Sequence, residues 1–213
     1  MKKISKQIVL SSLFCGLLAT TACDKDKSEK IPDGAFDGTI TVMVENGSNY
    51  DSIISKVRVM TYNDATELWD KEIAFGNYTN GGFTLTLPTT IDTELLHNLG
   101  SFSRHLSVSD RNVRLFGING SKFYAYNSDD NRIGNFYIVN VDINPVGEVE
   151  FTYADRDVTI VGSYLNYIYN VSLKKGWNRV HSITNGDQTK FTTKIVNKEK
   201  WSFIYWGTAH VPH

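Results

Sequence analysis

Two carboxylate pairs are the side chains of this sequence whose spacing could serve acid–base chemistry. Glu148 with Glu150, and Asp155 with Asp157, bracket a predicted strand at residues 149–153. The members of each pair lie two residues apart, so an extended chain places them on one face. A glycosidase needs two carboxylates that face each other across a cleft. We interpret both pairs as outward, solubilising charges, and we keep a glycan-acting hydrolase that uses Asp155 or Asp157 as the catalytic alternative.

Aromatic residues are the richer signal, with 11 Tyr, 11 Phe and 4 Trp among 213 residues. In residues 201–206, strand alternation places Trp201 on one face and Trp206 on the other, so we expect one aromatic group to be exposed. Tyr164 and Trp177 are similar candidates. Rings exposed on a β surface suit stacking against a sugar or contact with a protein partner. The four rings are therefore the candidate ligand contacts, and packing in the core is the alternative for each.

Other catalytic and metal chemistries have no pattern in the sequence. The only close pair among the five histidines is His210 and His213, which we interpret as part of a solvated C-terminal tail. No nucleophile elbow, Walker loop, dinucleotide fingerprint or zinc-protease motif occurs. We therefore expect no catalysis, no cofactor and no metal site. Because 22 Lys+Arg face 23 Asp+Glu without a long basic run, we also expect no nucleic-acid partner.

The first 22 residues have the features of a secretory signal peptide. Lys2, Lys3 and Lys6 precede a largely apolar run at residues 8–19, and small residues follow up to Ala22. As a helix this run would rise about 18 Å, which is short of the hydrocarbon core of a bilayer. We predict that residues 1–22 are removed after export.

Cys23 is the predicted lipidation site. Residues 17–23, LLATTAC, resemble a bacterial lipobox, in which cleavage before the cysteine is followed by acylation of its thiol and amine, palmitate being one such chain. Thr20 stands where the usual leucine would be, so cleavage after Ala22 to release a soluble protein stays open. Several acyl chains anchor a protein stably in a bilayer. Since Cys15 leaves with the signal peptide, we predict no disulfide and no thiol chemistry.

Residues 23–35 are predicted to form the lipidated cysteine and a flexible tether, because they are polar and lack apolar periodicity. Acidic residues directly after Cys23 resemble the surface-export signals of Bacteroidetes lipoproteins, but interleaved lysines dilute the pattern. The cell surface and the periplasmic face of the outer membrane therefore both stay open. Asp51-Ser52-Ile53 matches the short O-glycosylation pattern of exported Bacteroidetes proteins, with Ser52 as the acceptor.

From residue 36 onward the chain is predicted to form strands. Apolar and polar residues alternate over short runs at residues 39–44, 56–59, 83–87, 137–143 and 164–173. Gly and Asn turns separate the runs, and each strand would have one buried and one solvated face. These features predict a mainly β fold, an antiparallel β-sandwich with at most one or two short helices. Residues 92–98 are predicted to form one or two helical turns.

We predict a single β domain at residues 36–206, followed by a C-terminal tail at residues 207–213. Residues 99–110 have the weakest apolar pattern and would separate two lobes if the domain were divided. The part before them offers only about four strands, which is few for an independent sandwich.

Four stretches, at residues 80–88, 108–114, 152–162 and 169–178, together resemble small lipoproteins of the Bacteroides group. In order and spacing they extend over most of residues 36–206. The resemblance implies an exported, membrane-anchored, β-rich lipoprotein. It implies no activity, ligand or catalytic residue, because none is known for that family.

These features predict a non-catalytic binding or interaction module, anchored to the outer membrane or cell surface through acylated Cys23. Its partners would be the lipid bilayer and a glycan or a protein. Two alternatives are an anchor or subunit of a surface assembly, joined through an exposed strand edge, and the glycan-acting hydrolase.

Overall fold

Fifteen strands account for most of the chain that the structure, a computed structural model, describes: residues 34–63, 68–140, 147–194 and 199–207. All of these residues belong to one unit of the chain, Ile31–His213. The strands are β1 (Thr39–Met43), β2 (Lys56–Asn63), β3 (Leu68–Thr79), β4 (Gly82–Thr86), β5 (His97–Asn98), β6 (Ser107–Val108), β7 (Arg114–Asn119), β8 (Phe123–Tyr126), β9 (Arg132–Asn140), β10 (Gly147–Ala154), β11 (Val158–Tyr164), β12 (Tyr167–Leu173), β13 (Gly176–Asn185), β14 (Gln188–Thr192) and β15 (Glu199–Tyr205).

The helical content of the described residues consists of four short 3-10 turns. They are Gly47–Tyr50, Thr93–Leu95, Ser101–His105 and Gly120–Lys122. The turns predicted at residues 92–98 are reduced to Thr93–Leu95, because His97 then pairs with Leu115 as part of β5. None of the described helices is long and apolar enough to cross a membrane.

The strands form one continuous sheet in the order β1-β4-β3-β2-β8-β9-β10-β13-β14-β12-β11-β6. Strand β15 pairs with β9, and β7 pairs with both β10 and β5. Between the strands the pairing is antiparallel except for β12 and β14, which run parallel in the described part of the sheet, and an isolated bridge between Val44 and Trp201 is also parallel. The protein is therefore mainly β and sandwich-like, as predicted, with one parallel pair added.

The main core is shared by the two halves of this sheet, which explains why they pack face to face. Val57, Phe123 and Phe136 contribute to it from the half that contains β2, β8 and β9, and Val149 and Phe151 contribute from β10. All five side chains are buried. Alternation along each strand directs these residues to the same interior.

A second core lies on the opposite face of β10 and β13. Ala154 and Val180 from these strands pack with Ile160, Val171 and Leu173 from β11 and β12. Since β12 is reached through β14, the sheet must turn over on itself to bring these residues together. The face of β10 and β13 that points away from the main core is therefore concave.

The hairpin of β11 and β12 corrects one prediction. Residues 164–173 were expected to form a single strand, but β11 ends at Tyr164 and the chain reverses through Leu165 and Asn166. Leu165 has a left-handed φ of 52° and is 77% exposed. A branched apolar residue rarely takes this conformation. Because the alternation also continues through Leu165, the sequence does not indicate a turn there.

Asn178 holds the next turn of the chain in place. Its Nδ2 donates to the carbonyls of Lys174 at 2.8 Å and Gly176 at 2.9 Å, and its Oδ1 accepts from the Lys174 amide at 2.9 Å. The side chain has no exposed surface. This buried amide satisfies the backbone groups that lead into β13.

Candidate functional site

Two of the four candidate ligand-contact rings, Trp177 and Trp201, lie in the main core, so for these two the core alternative is correct and they are not exposed ligand contacts. Each has 4% of its surface exposed. Trp177 donates from Nε1 to the Pro88 carbonyl at 2.7 Å. Trp201 packs edge-on against Phe83 and Phe123, with ring centroids 5.4 and 5.1 Å apart. Alternation placed Trp201 and Trp206 on opposite faces of their strand. The face that carries Trp201 is the one that the other half of the sheet covers.

The other two predicted rings, Tyr164 and Trp206, remain partly exposed. Trp206 packs edge-on against Tyr124 of β8, with centroids 6.0 Å apart. Tyr164 stacks on His105, with centroids 4.5 Å apart and an interplanar angle of 12°. The two rings contact different neighbours, so the structure does not join them into one aromatic surface.

Of the two predicted modification sites, Cys23 and Ser52, the structure describes only Ser52. Cys23 lies outside the described residues, as do His210 and His213. Ser52 is exposed in a turn that follows the first 3-10 turn. The adjacent Asp51 accepts a hydrogen bond from the Gly81 amide at 2.8 Å, which fixes this turn against the hairpin of β3 and β4. Glycosylation of Ser52 stays a prediction.

The carboxylates of Asp155 and Asp157 are engaged in structural ion pairs. Asp155 accepts hydrogen bonds from Arg114 and Arg156. Desolvation alone would raise the pKa of Asp155, but these hydrogen bonds outweigh it and lower the pKa. Asp157 accepts from the Lys175 amide at 2.8 Å and lies 3.3 Å from the Lys174 ammonium, which also lowers its pKa. Both shifts favour the ionised carboxylate, whereas the general acid of a hydrolase needs a raised pKa at neutral pH.

A concave surface on the face opposite the main core is the best-formed candidate site. It encloses about 470 Å³ and we call it the trough. Its lining combines polar side chains with an apolar wall. The lining residues are Asn119, Val139, Glu148, Val149, Glu150, Val180, Ser182, Thr184, Thr189 and Phe191.

Strand register explains how the trough is assembled. Val139 pairs with Glu148, Glu148 with Ser182, and Ser182 with Phe191. Phe191 in turn pairs with Tyr169 across the parallel pair of strands. Directly opposed residues share a face of a sheet, so these five form one row that passes from an aliphatic group through a carboxylate and a hydroxyl to two aromatic rings. We call it the cross-strand row.

The aromatic end of the cross-strand row is rigidly packed. Tyr169 stacks on Phe191 with centroids 5.1 Å apart and an angle of 15°, and Phe102 stacks on Tyr169 at 5.8 Å and 20°. Tyr167 adds a tilted contact to Phe191 at 6.0 Å and is 43% exposed. The wall of the trough therefore ends in a continuous group of aromatic rings.

Glu150 is held in position beside the cross-strand row. Its Oε1 accepts from the Thr152 hydroxyl at 3.1 Å. The carboxyl lies over Gly117, where a Cβ would come within 2.2 Å of Oε1. The side chain reaches solvent, but the protein around it desolvates the carboxyl and raises its pKa, with a smaller contribution from the charge of Glu148. Gly117 thus provides the space that a positioned carboxylate occupies.

The trough can accept and donate hydrogen bonds but offers no positive charge. Glu148, Glu150 and Asn119 supply acceptors, and the Thr184 and Thr189 hydroxyls lie 3.0 Å apart. No lysine, arginine or histidine occurs among its described lining residues. Within the described ranges, no group of three or more His, Cys, Asp or Glu side chains is arranged to hold a metal ion. This chemistry suits a polyhydroxylated ligand.

Sequence reasoning noticed Glu148 and Glu150 as a pair but interpreted them as solubilising charges. It missed Ser182, Thr189 and Phe191, which come from strands far along the chain. The local pattern that indicates this site in the sequence is the pair of acidic residues on one face of a strand whose other face is apolar.

Comparison with known proteins identifies no relative. No protein-family model matches the chain, and no match to a curated protein or to a solved structure is found.

Proposed function

We propose that this protein is a non-catalytic binding module, anchored by acylated Cys23 to the outer membrane or cell surface, and that it binds a glycan in the trough. The observation that carries the proposal is the lining of the trough, which places hydrogen-bonding carboxylates and hydroxyls beside aromatic rings in one concave surface. Ligand sites in proteins are typically concave, with a few directed polar groups and an apolar wall. A sugar has both hydroxyl edges and apolar ring faces.

The glycan screen that tests this proposal uses the mature chain solubilised from membranes. We expect specific, saturable binding to one group of oligosaccharides, with each bound glycan recovered intact. If the screen finds no specific glycan, the proposed function is wrong. If the bound glycans are instead cleaved, the protein is a hydrolase and the non-catalytic part of the proposal fails.

The anchor is supported by the signal peptide, the lipobox and the resemblance to Bacteroides lipoproteins. Cys23→Ala should release the protein from membranes, because the acyl chains would have no attachment point. Cell fractionation and mass measurement of the intact chain test this directly. A membrane-bound variant, or a wild-type chain without acyl groups, would contradict the anchor.

One structural observation favours the assembly alternative. In the described part of the sheet β15 pairs along its length only with β9. Its other edge is covered near Trp201 by a parallel bridge to Val44, where the Glu45 amide donates to the Trp201 carbonyl at 2.8 Å. Ile204 and Tyr205 on this strand are 47% and 48% exposed. An open strand edge can pair with a strand of another protein.

The Trp206 amide donates to the Ile133 carbonyl beside β9, so by alternation the Tyr205 amide points to the open edge. Co-purification of a stoichiometric protein partner, lost on Tyr205→Pro, would support the assembly alternative.

A further inference from the structure

We infer that the trough selects neutral or amino sugars and rejects uronic, sialic and sulfated ones, with the glycan lying along the cross-strand row. This inference rests on the proposed function, because it specifies the class of glycan bound at the same site.

Charge selection follows from the lining. Glu148 and Glu150 face the trough from the same strand, and no cationic side chain is among its described lining residues. Thr152, the hydrogen-bond partner of Glu150, is uncharged. The nearest cation in the register, Lys200 opposite Val139, is not a lining residue and is ion-paired with Glu45. An anionic sugar would therefore approach two carboxylates with no cation among the described lining residues. Like charges at contact distance repel even in a solvated site, whereas an ammonium group on a sugar would be attracted.

Glu148 and Glu150 would also bind the sugar directly as hydrogen-bond acceptors. A carboxylate accepts hydrogen bonds from several hydroxyls at once and makes stronger bonds than a neutral acceptor. Because Glu148 lies directly opposite Ser182 in the register, an acceptor and a hydroxyl group are placed side by side across neighbouring strands. Adjacent hydroxyls of a pyranose ring match such a pair of groups.

Orientation follows from the order of groups along the cross-strand row. The carboxylate and hydroxyl of Glu148 and Ser182 precede the rings of Phe191 and Tyr169. A sugar held at the polar end would place its neighbour in the chain against Phe191, the ring that lines the trough. The ligand therefore runs perpendicular to β10, β13 and β14 and covers at least two sugar units.

The charge part is tested by a panel of neutral, amino, uronic acid and sulfated oligosaccharides, presented to the wild type and to the double variant Glu148→Gln, Glu150→Gln. The wild type should bind only neutral or amino members, and the uronic acid counterpart of a bound neutral sugar should bind at least tenfold more weakly. The double variant should reduce that difference to less than about threefold, because both repelling charges are gone. Glu94→Gln, an exposed carboxylate on a 3-10 turn, is the matched control and should behave as the wild type.

The outcomes separate this inference from the proposed function. Binding of acidic sugars by the wild type, or unchanged discrimination in the double variant, overturns charge selection and leaves glycan binding intact. If no member of the panel binds, the proposed function fails and the inference fails with it.

The orientation part is tested with Phe191→Leu, which keeps an apolar side chain but removes the ring. It should weaken binding of a disaccharide or longer ligand by about fivefold or more while leaving a monosaccharide nearly unaffected. Phe75→Leu is the matched control, since Phe75 is an exposed ring on β3 outside the trough. Equal losses for the monosaccharide and the longer ligand would overturn the orientation.

Discussion

Gly117→Ala is predicted to weaken glycan binding without unfolding the protein, although Gly117 itself does not line the trough. An alanine Cβ at this position would lie 2.2 Å from Glu150 Oε1, and real Cβ contacts essentially never fall below 3.0 Å. The Glu150 carboxyl must therefore move by the difference, about 0.8 Å at least. The other neighbouring atoms, Glu150 Cδ and Cγ, belong to the same flexible side chain.

The magnitude follows from what Glu150 contributes. A hydrogen bond to a charged group is worth about 1.5–3 kcal/mol, and displacement of the acceptor by most of an ångström breaks it. Since about 1.4 kcal/mol corresponds to a tenfold change in affinity, we expect at least a tenfold weaker Kd. The free energy of unfolding should stay level or rise by up to about 1 kcal/mol, because glycine within a strand is less stable than alanine.

Isothermal titration calorimetry with the glycan found in the screen measures the affinity, and denaturant unfolding measures the stability. A double-mutant cycle with Glu150→Ala is the control: if Gly117 acts only through Glu150, Gly117→Ala should have no further effect in that background. Wild-type affinity for Gly117→Ala, combined with weakened binding by Glu150→Ala, would refute the reasoning about the position of the carboxyl.

Three further predictions concern the fold. Trp201→Ala should lower the free energy of unfolding by about 3–5 kcal/mol. Trp206→Ala should lower it by only about 1 kcal/mol, since Trp206 is partly exposed. Urea unfolding measures both variants, and equal losses would contradict the placement of the two rings. Asn178→Asp should lower the free energy of unfolding by about 3 kcal/mol or more, because a buried carboxylate oxygen would replace the NH₂ group that donates to two carbonyls. A variant as stable as the wild type in urea unfolding would show that these hydrogen bonds are not needed. Desolvation raises the pKa of Glu150 above its ordinary value of 4.5, so its ionisation removes stability as the pH rises through that raised pKa. Glu150→Gln should therefore lose less stability than the wild type between pH 4.5 and neutrality, measured as the shift in Tm, and a steeper loss would contradict the sign.

The strands and many of their turns could be predicted from local pattern alone. Asn80-Gly81 forms the turn between β3 and β4 with left-handed φ values of 52° and 77°, as the residue types require. The turn at Leu165 could not be predicted, because its residue types resemble those of the flanking strands and the alternation continues through it.

The candidate site could be predicted only in part. Glu148 and Glu150 were recognisable as two acids on one face, since alternation is a local property. Their partners Ser182 and Phe191 depend on the register among β10, β13 and β14, which arises from long-range packing and has no local signature. The burial of Trp177 and Trp201 was hidden for the same reason: alternation separates two faces of a strand but does not reveal which of them another sheet will cover.

The most direct test of the central claim blocks the trough while leaving the rest of the surface unchanged. Ser182→Trp places a bulky ring in the middle of the cross-strand row, and Thr41→Trp places the same ring on an exposed position of β1. Titrated with the same glycan, the wild type and Thr41→Trp should show equal saturable binding, and Ser182→Trp, confirmed to be folded by its unfolding transition, should show none. Wild-type affinity in Ser182→Trp would contradict the assignment of the trough as the binding site.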